Sequence, residues 1–104
     1  MLYDKERWEP KPVVVLEPWR QALLDAANII RERGWCQRTV ETKDGRVCIM
    51  GAFRHLHGHI PHNILDVAKD TFASHLGMPI ALWNDKRTTT KELVLQTLEA
   101  VARK

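Results

Sequence analysis

Apolar residues recur at helical spacing in four parts of the sequence. The first pattern predicts an amphipathic helix that begins at Pro18 and ends at Gly34, because proline suits the first helical position and glycine suits the residue after a helix. A second pattern, from about residue 47 to residue 57, is apolar around more than half of the helix circumference. We therefore expect the second helix to lie at the centre of the domain, where Gly51 and Ala52 would let a neighbouring helix approach closely.

Two further helices are predicted in the second half of the chain. The third follows Pro61, with Asn63 as its N-terminal cap and an apolar stripe along one side. Pro79 is expected to end helical structure, because proline lacks the N–H that a helix interior needs. The last helix is expected to begin at Thr89, which stands three residues before a glutamate, the spacing of a capping box.

The connection between the first two helices contains a strong turn signal, Asp44-Gly45. Residues 38–42 alternate between polar and apolar side chains and favour a short strand. The fold class is therefore predicted as mainly α, with a compact four-helix domain at residues 18–104 and at most a small β-hairpin near residues 36–48.

Residues 1–17 are predicted to form an extended, proline-rich arm before the helical domain. Pro10 and Pro12 exclude a helix, and an apolar run without helical register follows them. The run consists of Val13, Val14, Val15 and Leu16. We expect it either to mediate association, at a sheet edge or in a groove of a neighbouring chain, or to fold back over the first helix.

Composition and charge limit the classes of protein to consider. The chain has 104 residues, of which 44% are hydrophobic, and a net charge of +3 with histidine neutral; this is the balance of an ordinary globular protein. Its basic residues are interspersed with acidic ones, so a dedicated nucleic-acid-binding domain is not indicated. No apolar run approaches the roughly 18 residues of a membrane span, and the N-terminus lacks a secretory signal, so we expect a cytoplasmic protein without membrane contact.

Cys48 stands shortly after a glycine turn, near the start of the second helix, where a thiol can be acidified. In a cysteine-dependent enzyme it would pair with His75, in the apolar stripe of the third helix, or with Asp85. The favoured interpretation is structural, because a cysteine on an apolar helix face packs as a small hydrophobic residue. A histidine in an apolar stripe is likewise expected to be buried. With Cys36 the chain has two cysteines, too few for a disulfide framework, and both are expected to be free thiols.

Four of the five histidines lie close together in the sequence HLHGHIPH. Alternating histidines can bind zinc or nickel. Glycine and proline break this stretch into a loop, however, and it contains no cysteine or carboxylate that would complete a site. We therefore predict no native metal site and no cofactor. The residues that would form such a site are His55, His57, His59 and His62.

The segment before the last helix contains a candidate binding site, made of Trp83, Asn84, Asp85 and Arg87. Packing and turn formation also explain these residues. Trp83 would fill the core, and Arg87 would pair with Asp85 or another acidic residue. Asn84 and Asp85 would satisfy backbone N–H groups near the tryptophan. In the functional interpretation the same four residues form a ligand pocket.

Three motifs in a fixed order carry a resemblance to a known family. They are GWCQ at 34–37, GRVCIMGAF at 45–53 and LWNDKRTTTKELVLQTL at 82–98. They resemble a family of small bacterial, notably actinobacterial, and phage proteins of unknown function, which has Gly-Trp-Cys, Gly-Arg-x-Cys-x-x-Gly-Ala and Trp-Asn-Asp followed by Arg-Thr. The match covers roughly residues 18–102, and Lys86 marks a shortened spacer after Trp-Asn-Asp. The resemblance implies no established activity.

The leading hypothesis is a small cytoplasmic protein, of phage or mobile-element origin, that binds another macromolecule. The partner would be another protein or, through the arm, a second copy of the chain. One alternative is a cysteine-dependent enzyme that uses Cys48 with His75 or Asp85, which a deep pocket at Cys48 would favour. The other alternative is a small-ligand or nucleic-acid binder, which a continuous basic face would favour. Its basic residues would be Arg38, Arg46, Arg54 and Arg87.

Overall fold

A computed structural model describes residues 16–104, in which five helices form. They are α1 (Pro18–Arg33), α2 (Ile49–Leu56), α3 (His62–Leu76), α4 (Ile80–Asn84) and α5 (Lys91–Ala102). No strand forms in this part of the chain, so the prediction of a mainly α fold is confirmed. Four helices match the predicted patterns, and the short α4 was not predicted. The apolar run of the arm lies outside the described residues except for Leu16, which is half-buried.

Helix α1 is the scaffold of the fold, because it packs against α2, α3 and α5. Its buried side consists of Ala22, Leu23, Ala26, Ala27 and Ile30. Three of these five side chains are alanines, so neighbouring helices can approach the axis of α1 closely. Helix α2 is also buried, as predicted, with its main contacts to α1 and α4. None of the helices in residues 16–104 combines the length with the apolar character needed to cross a membrane.

At the starts of α5 and α3, the residues predicted to cap the helix do not do so. Thr90, not Thr89, caps α5, since its hydroxyl accepts a hydrogen bond of 3.1 Å from a backbone N–H of the first turn. Thr89 is buried instead, and its hydroxyl donates to the carbonyl of Trp83 at 2.7 Å. This bond closes the connection between α4 and α5. Asn63 lies inside α3, which is preceded by Pro61 and has no side-chain cap.

Pro79 precedes a helix instead of ending helical structure. Helix α3 already ends at Leu76, and Gly77 follows it in the left-handed region with a φ of 73°. Pro79 then stands directly before α4, where its missing N–H costs nothing. The prediction for Pro79 was therefore wrong. The short helix that follows carries Asn84 into the interior, where it is 1% exposed.

The connection between α1 and α2 folds around Val47 and does not form a regular hairpin. Trp35 and Glu41 each make an isolated bridge to Val47, the first parallel and the second antiparallel. Cys48 N donates to Val40 O at 3.1 Å. The connecting loop therefore crosses directly over the start of α2.

Gly51 makes this crossing possible. A Cβ atom at this position would lie 2.2 Å from Val40 O, far inside van der Waals contact. The sequence led us to expect a neighbouring helix over Gly51 and Ala52. The close neighbour of Gly51 is instead the backbone of the connecting loop.

Candidate functional site

The side chain of Asn84 joins the three sequence motifs. Its Oδ1 accepts hydrogen bonds from Trp35 Nε1 at 2.8 Å and from Ile49 N at 3.1 Å. Its Nδ2 donates to Cys36 O at 3.1 Å and to Asp85 Oδ1 at 3.0 Å. A carboxamide has two donor hydrogens and two acceptor lone pairs, and all four are used here. Asn84 was a candidate ligand-binding residue, but its side chain has no polar group left for a ligand.

The loop after α1 also holds the end of α4. Gln37 Nε2 donates to the carbonyl oxygens of Asn84 and Lys86, each at 2.9 Å. Arg38 N donates to Asp85 Oδ1 at 2.9 Å, and Arg38 itself has a positive φ of 71°. These contacts fix the loop against the Trp-Asn-Asp segment, so the motifs form one packed unit.

Trp83 and Arg87 occupy different environments from those predicted. Trp83 is half-buried and meets Phe72 edge-on, with ring centroids 6.0 Å apart. It packs against the core without being enclosed by it. Arg87 is exposed, and within residues 16–104 it makes no ion pair with Asp85 or another carboxylate. The reason is that Asp85 faces the connecting loop, where it accepts the N–H of Arg38.

Both cysteines are buried free thiols. Cys48 is the N-cap of α2, and its Sγ accepts a hydrogen bond from Gly51 N at 3.3 Å. The Sγ of Cys36 donates to the carbonyl oxygens of Thr39 at 3.4 Å and Arg46 at 3.5 Å. Burial raises the pKa of the Cys36 thiol, and the nearby Cys48 thiol raises it further. Both sulfur atoms are therefore hydrogen-bonded to backbone groups.

His75 is not a partner of Cys48 or Asp85. It lies on the surface, and Lys104 Nζ donates to its Nδ1 at 2.8 Å. The prediction of a buried histidine was wrong because α3 is buried only along the line of Leu65, Ala68 and Phe72. No thiol–imidazole pair forms between Cys48 and the histidine proposed for it.

The histidine-rich segment divides between two environments. His55 Nε2 lies 2.7 Å from Glu41 Oε1, and this histidine is partly buried. His57 and His62 are exposed and meet edge-on, with ring centroids 4.8 Å apart, and His59 is also exposed. Within residues 16–104, no group of three or more histidine, cysteine or carboxylate side chains is arranged to hold a metal ion.

Two small adjoining depressions lie where the connecting loop crosses α2. The first, of about 230 Å³, lies between the loop, α2 and α4 and includes Cys48 and Asp85 in its lining. The second, of about 210 Å³, includes Phe53 and Lys69. Val40 and Met50 line both depressions, which we call together the Val40 groove. Its lining is mostly apolar.

A third, polar cleft lies beside the Val40 groove and has a volume of about 510 Å³. Its lining residues are Glu41, Thr42, Lys43, Arg54 and His55. The sequence did not indicate either surface, although one signal was present. Val40 is an apolar residue between polar neighbours in the connection, and it remains 39% exposed.

Comparison with known proteins identifies a family without identifying an activity. The model of a family described as "Family of unknown function (DUF6197)" matches residues 16–104. No curated protein and no solved structure is significantly similar to the chain. The family match covers most of the chain and includes the segments that carry the three motifs. The chain belongs to this family of unknown function, DUF6197.

Proposed function

We propose that this protein is an interaction module that binds an extended segment of a partner protein in the Val40 groove. The observation that carries the proposal is the shared wall of the two depressions. Val40 and Met50 line both of them, so a bound segment can place two alternate side chains, i and i+2, on either side of this wall. In an extended segment every second side chain points to the same face, which suits such a pair of adjoining depressions.

The groove selects for apolar side chains at its centre. Val40, which lines both depressions, is 39% exposed. Removing its apolar surface from water would contribute about 25 cal/mol for each Å² buried. The proposed partner therefore contributes at least one large apolar side chain.

The rim of the groove adds a preference for acidic partners. Arg38 lines the first depression, and Arg54 and Lys69 line the second. Lys69 is only loosely paired with Asp66, at 3.9 Å. Asp85 is the carboxylate on this rim, and its Oδ1 already accepts two hydrogen bonds. Carboxylates in the partner would increase the association rate and fix the register of the bound segment.

The walls of the groove are held in place before a partner binds. Asn84 ties the connecting loop to α4 and to the start of α2. The loop in turn lies against Gly51 with no space for a larger residue. A preformed groove loses little conformational entropy on binding, and this favours recognition.

A cysteine-dependent enzyme is less well supported by the same contacts. Cys48 lines the first depression, but it is 7% exposed and its sulfur accepts the N–H of Gly51. His75 is paired with Lys104, and the Asp85 carboxylate is held by the connecting loop. Among residues 16–104, no histidine or carboxylate is hydrogen-bonded to the Cys48 sulfur, whose partner is Gly51 N.

The test is a selection of short random peptides on the full-length protein. We expect the selected peptides to combine a large apolar residue with aspartate or glutamate. Val40→Glu should weaken their binding at least about tenfold, because it places a charge on the central wall of the groove. The matched control is Val67→Glu, which changes another exposed valine, in α3, and should leave binding unchanged. Selected peptides that bind Val40→Glu as tightly as the wild type would refute the proposal.

A further inference from the structure

The polar cleft beside the Val40 groove is lined by charged and polar residues, whereas the lining of the groove is mostly apolar. The cleft is open to solvent, and Glu41, Lys43, Arg54 and His55 contribute its charged and titratable groups. Arg54 is the one residue that also lines the groove. A ligand in the cleft can therefore be tested separately from a peptide in the groove.

Among the described residues, the lining of the cleft has more cationic groups than carboxylates. Glu41 is its carboxylate, and both oxygens already have partners: Oε1 lies 2.7 Å from His55 Nε2, and Oε2 lies 3.8 Å from Arg33 Nη1. Lys43 and Arg54 are exposed, and neither forms an ion pair within residues 16–104. Two cationic groups thus face a cleft whose lining has one carboxylate, and that carboxylate already contacts His55 and Arg33.

His55 supplies a third polar group in the cleft, and its contact with Glu41 defines the orientation of its ring. The contact of His55 Nε2 with Glu41 fixes the ring, and this leaves Nδ1 as the nitrogen available to a ligand. Nδ1 donates a hydrogen bond when the imidazole is protonated. Glu41 is a positioning residue here, because it acts through its contact with His55.

We infer that the polar cleft binds a phosphate monoester. A monoester group carries up to two negative charges and three terminal oxygens. Lys43 and Arg54 supply two positive charges, and their ammonium and guanidinium groups supply enough N–H donors for the three oxygens. A volume of about 510 Å³ leaves room for the organic part of a small ester beside the phosphate. A carboxylate carries one negative charge and would neutralise only one of the two cations.

The experiment uses phenyl phosphate as the probe and benzoate as a carboxylate with the same aromatic group. Binding to the full-length protein is followed by the backbone amide chemical shifts of Lys43 and His55, at about 0.1 M salt to screen distant charges. We expect phenyl phosphate to bind at least about tenfold more tightly than benzoate. Lys43→Gln and Arg54→Gln should each weaken phenyl phosphate binding about tenfold, since each removes a charge-assisted hydrogen bond.

The matched control is Arg87→Gln, which removes an exposed arginine that does not line the cleft. It should change the affinity less than about twofold, as expected for a distant surface charge. Equal weakening by Arg87→Gln would show general attraction to a basic protein and would overturn the inference. Equal binding of benzoate and phenyl phosphate would also overturn it. Val40→Ala, which removes apolar surface from the groove without adding a charge, should leave phenyl phosphate binding intact. A failure of the peptide-binding proposal is therefore distinguishable from a failure of this one.

Discussion

The indole of Trp35 donates a hydrogen bond of 2.8 Å to the side-chain oxygen of Asn84, across 49 positions of sequence. This contact joins the second residue after α1 to the last residue of α4. The same oxygen accepts the N–H of Ile49, the first residue of α2. A single buried carboxamide therefore sets the relative positions of three helices, which explains why an asparagine occupies an interior position.

Replacing Asn84 with alanine should lower the free energy of unfolding by about 3 kcal/mol. The substitution leaves Trp35 Nε1, Ile49 N and Cys36 O without their partner, and an unsatisfied buried group costs about 1–3 kcal/mol. Urea denaturation followed by circular dichroism measures the change. Asn63→Ala is the control, because Asn63 is an exposed asparagine in α3 and its loss should change stability by less than about 0.5 kcal/mol. Equal midpoints for the two variants would contradict the assigned role of Asn84.

The second prediction concerns Gly51, and its test is whether replacement by alanine stabilises or destabilises the protein. Alanine normally stabilises a helix relative to glycine by about 0.5–1 kcal/mol. At this position the added Cβ would lie 2.2 Å from Val40 O, a backbone atom that cannot rotate away. Gly51→Ala should therefore destabilise the protein by about 1–3 kcal/mol. Thermal or urea unfolding would show this, and a stabilised variant would mean that the connecting loop does not cross α2 as described.

The third prediction is that both thiols react slowly in the folded protein. Cys36 and Cys48 are 6% and 7% exposed, and both sulfur atoms have hydrogen-bond partners. Titration with a chromogenic thiol reagent near neutral pH should label them slowly without denaturant and rapidly with it. Rapid labelling of Cys48 in the native protein would instead support the cysteine-dependent enzyme.

The raised pKa of Cys36 adds a pH dependence to this prediction. Burial disfavours the thiolate, so the pKa of this thiol in the folded protein lies above its ordinary value of 9.0. The unfolded chain then loses the proton at a lower pH than the folded protein does. The resulting stabilisation is complete below about pH 9 and is lost as the pH rises further. In wild type the free energy of unfolding should fall more steeply above pH 9 than in Cys36→Ala, as measured by urea denaturation at several pH values.

The sequence predicted the long helices because their periodicity is a local property. Helices α1 and α3 contain enough turns for an apolar stripe to be recognised, and glycine marks the end of each. Helix α4 has five residues, too few for periodicity, and Pro79 was interpreted as the end of a helix although it precedes one.

His75 shows a second limit of prediction from periodicity. Periodicity identifies a face of a helix, but the neighbouring elements decide how far along that face burial extends.

The candidate sites were less predictable because they depend on distant segments. Nothing local in the sequence places Val40 beside Met50, or Lys43 beside Arg54. Asn84 was identified as a candidate from its motif, but three of its four hydrogen bonds reach partners in other parts of the chain. Sequence reasoning can find such a residue. It cannot decide whether the side chain is saturated by the fold or left available for a ligand.

The last prediction concerns residues 1–15, which lie outside the described part of the chain. The apolar run, which continues from Val13 to Leu16, follows two prolines and has no helical register, so we expect the arm to mediate association between chains. Deleting residues 1–16 should convert an oligomer into a folded monomer, as measured by light scattering together with circular dichroism. Val67→Glu, a substitution on the helical body, should leave the mass unchanged. A lower melting temperature at unchanged mass would mean that the arm folds back on its own domain. Full-length protein that stays monomeric at high concentration would contradict the prediction, and a deletion that also leaves the stability unchanged would show that the arm neither bridges chains nor folds back.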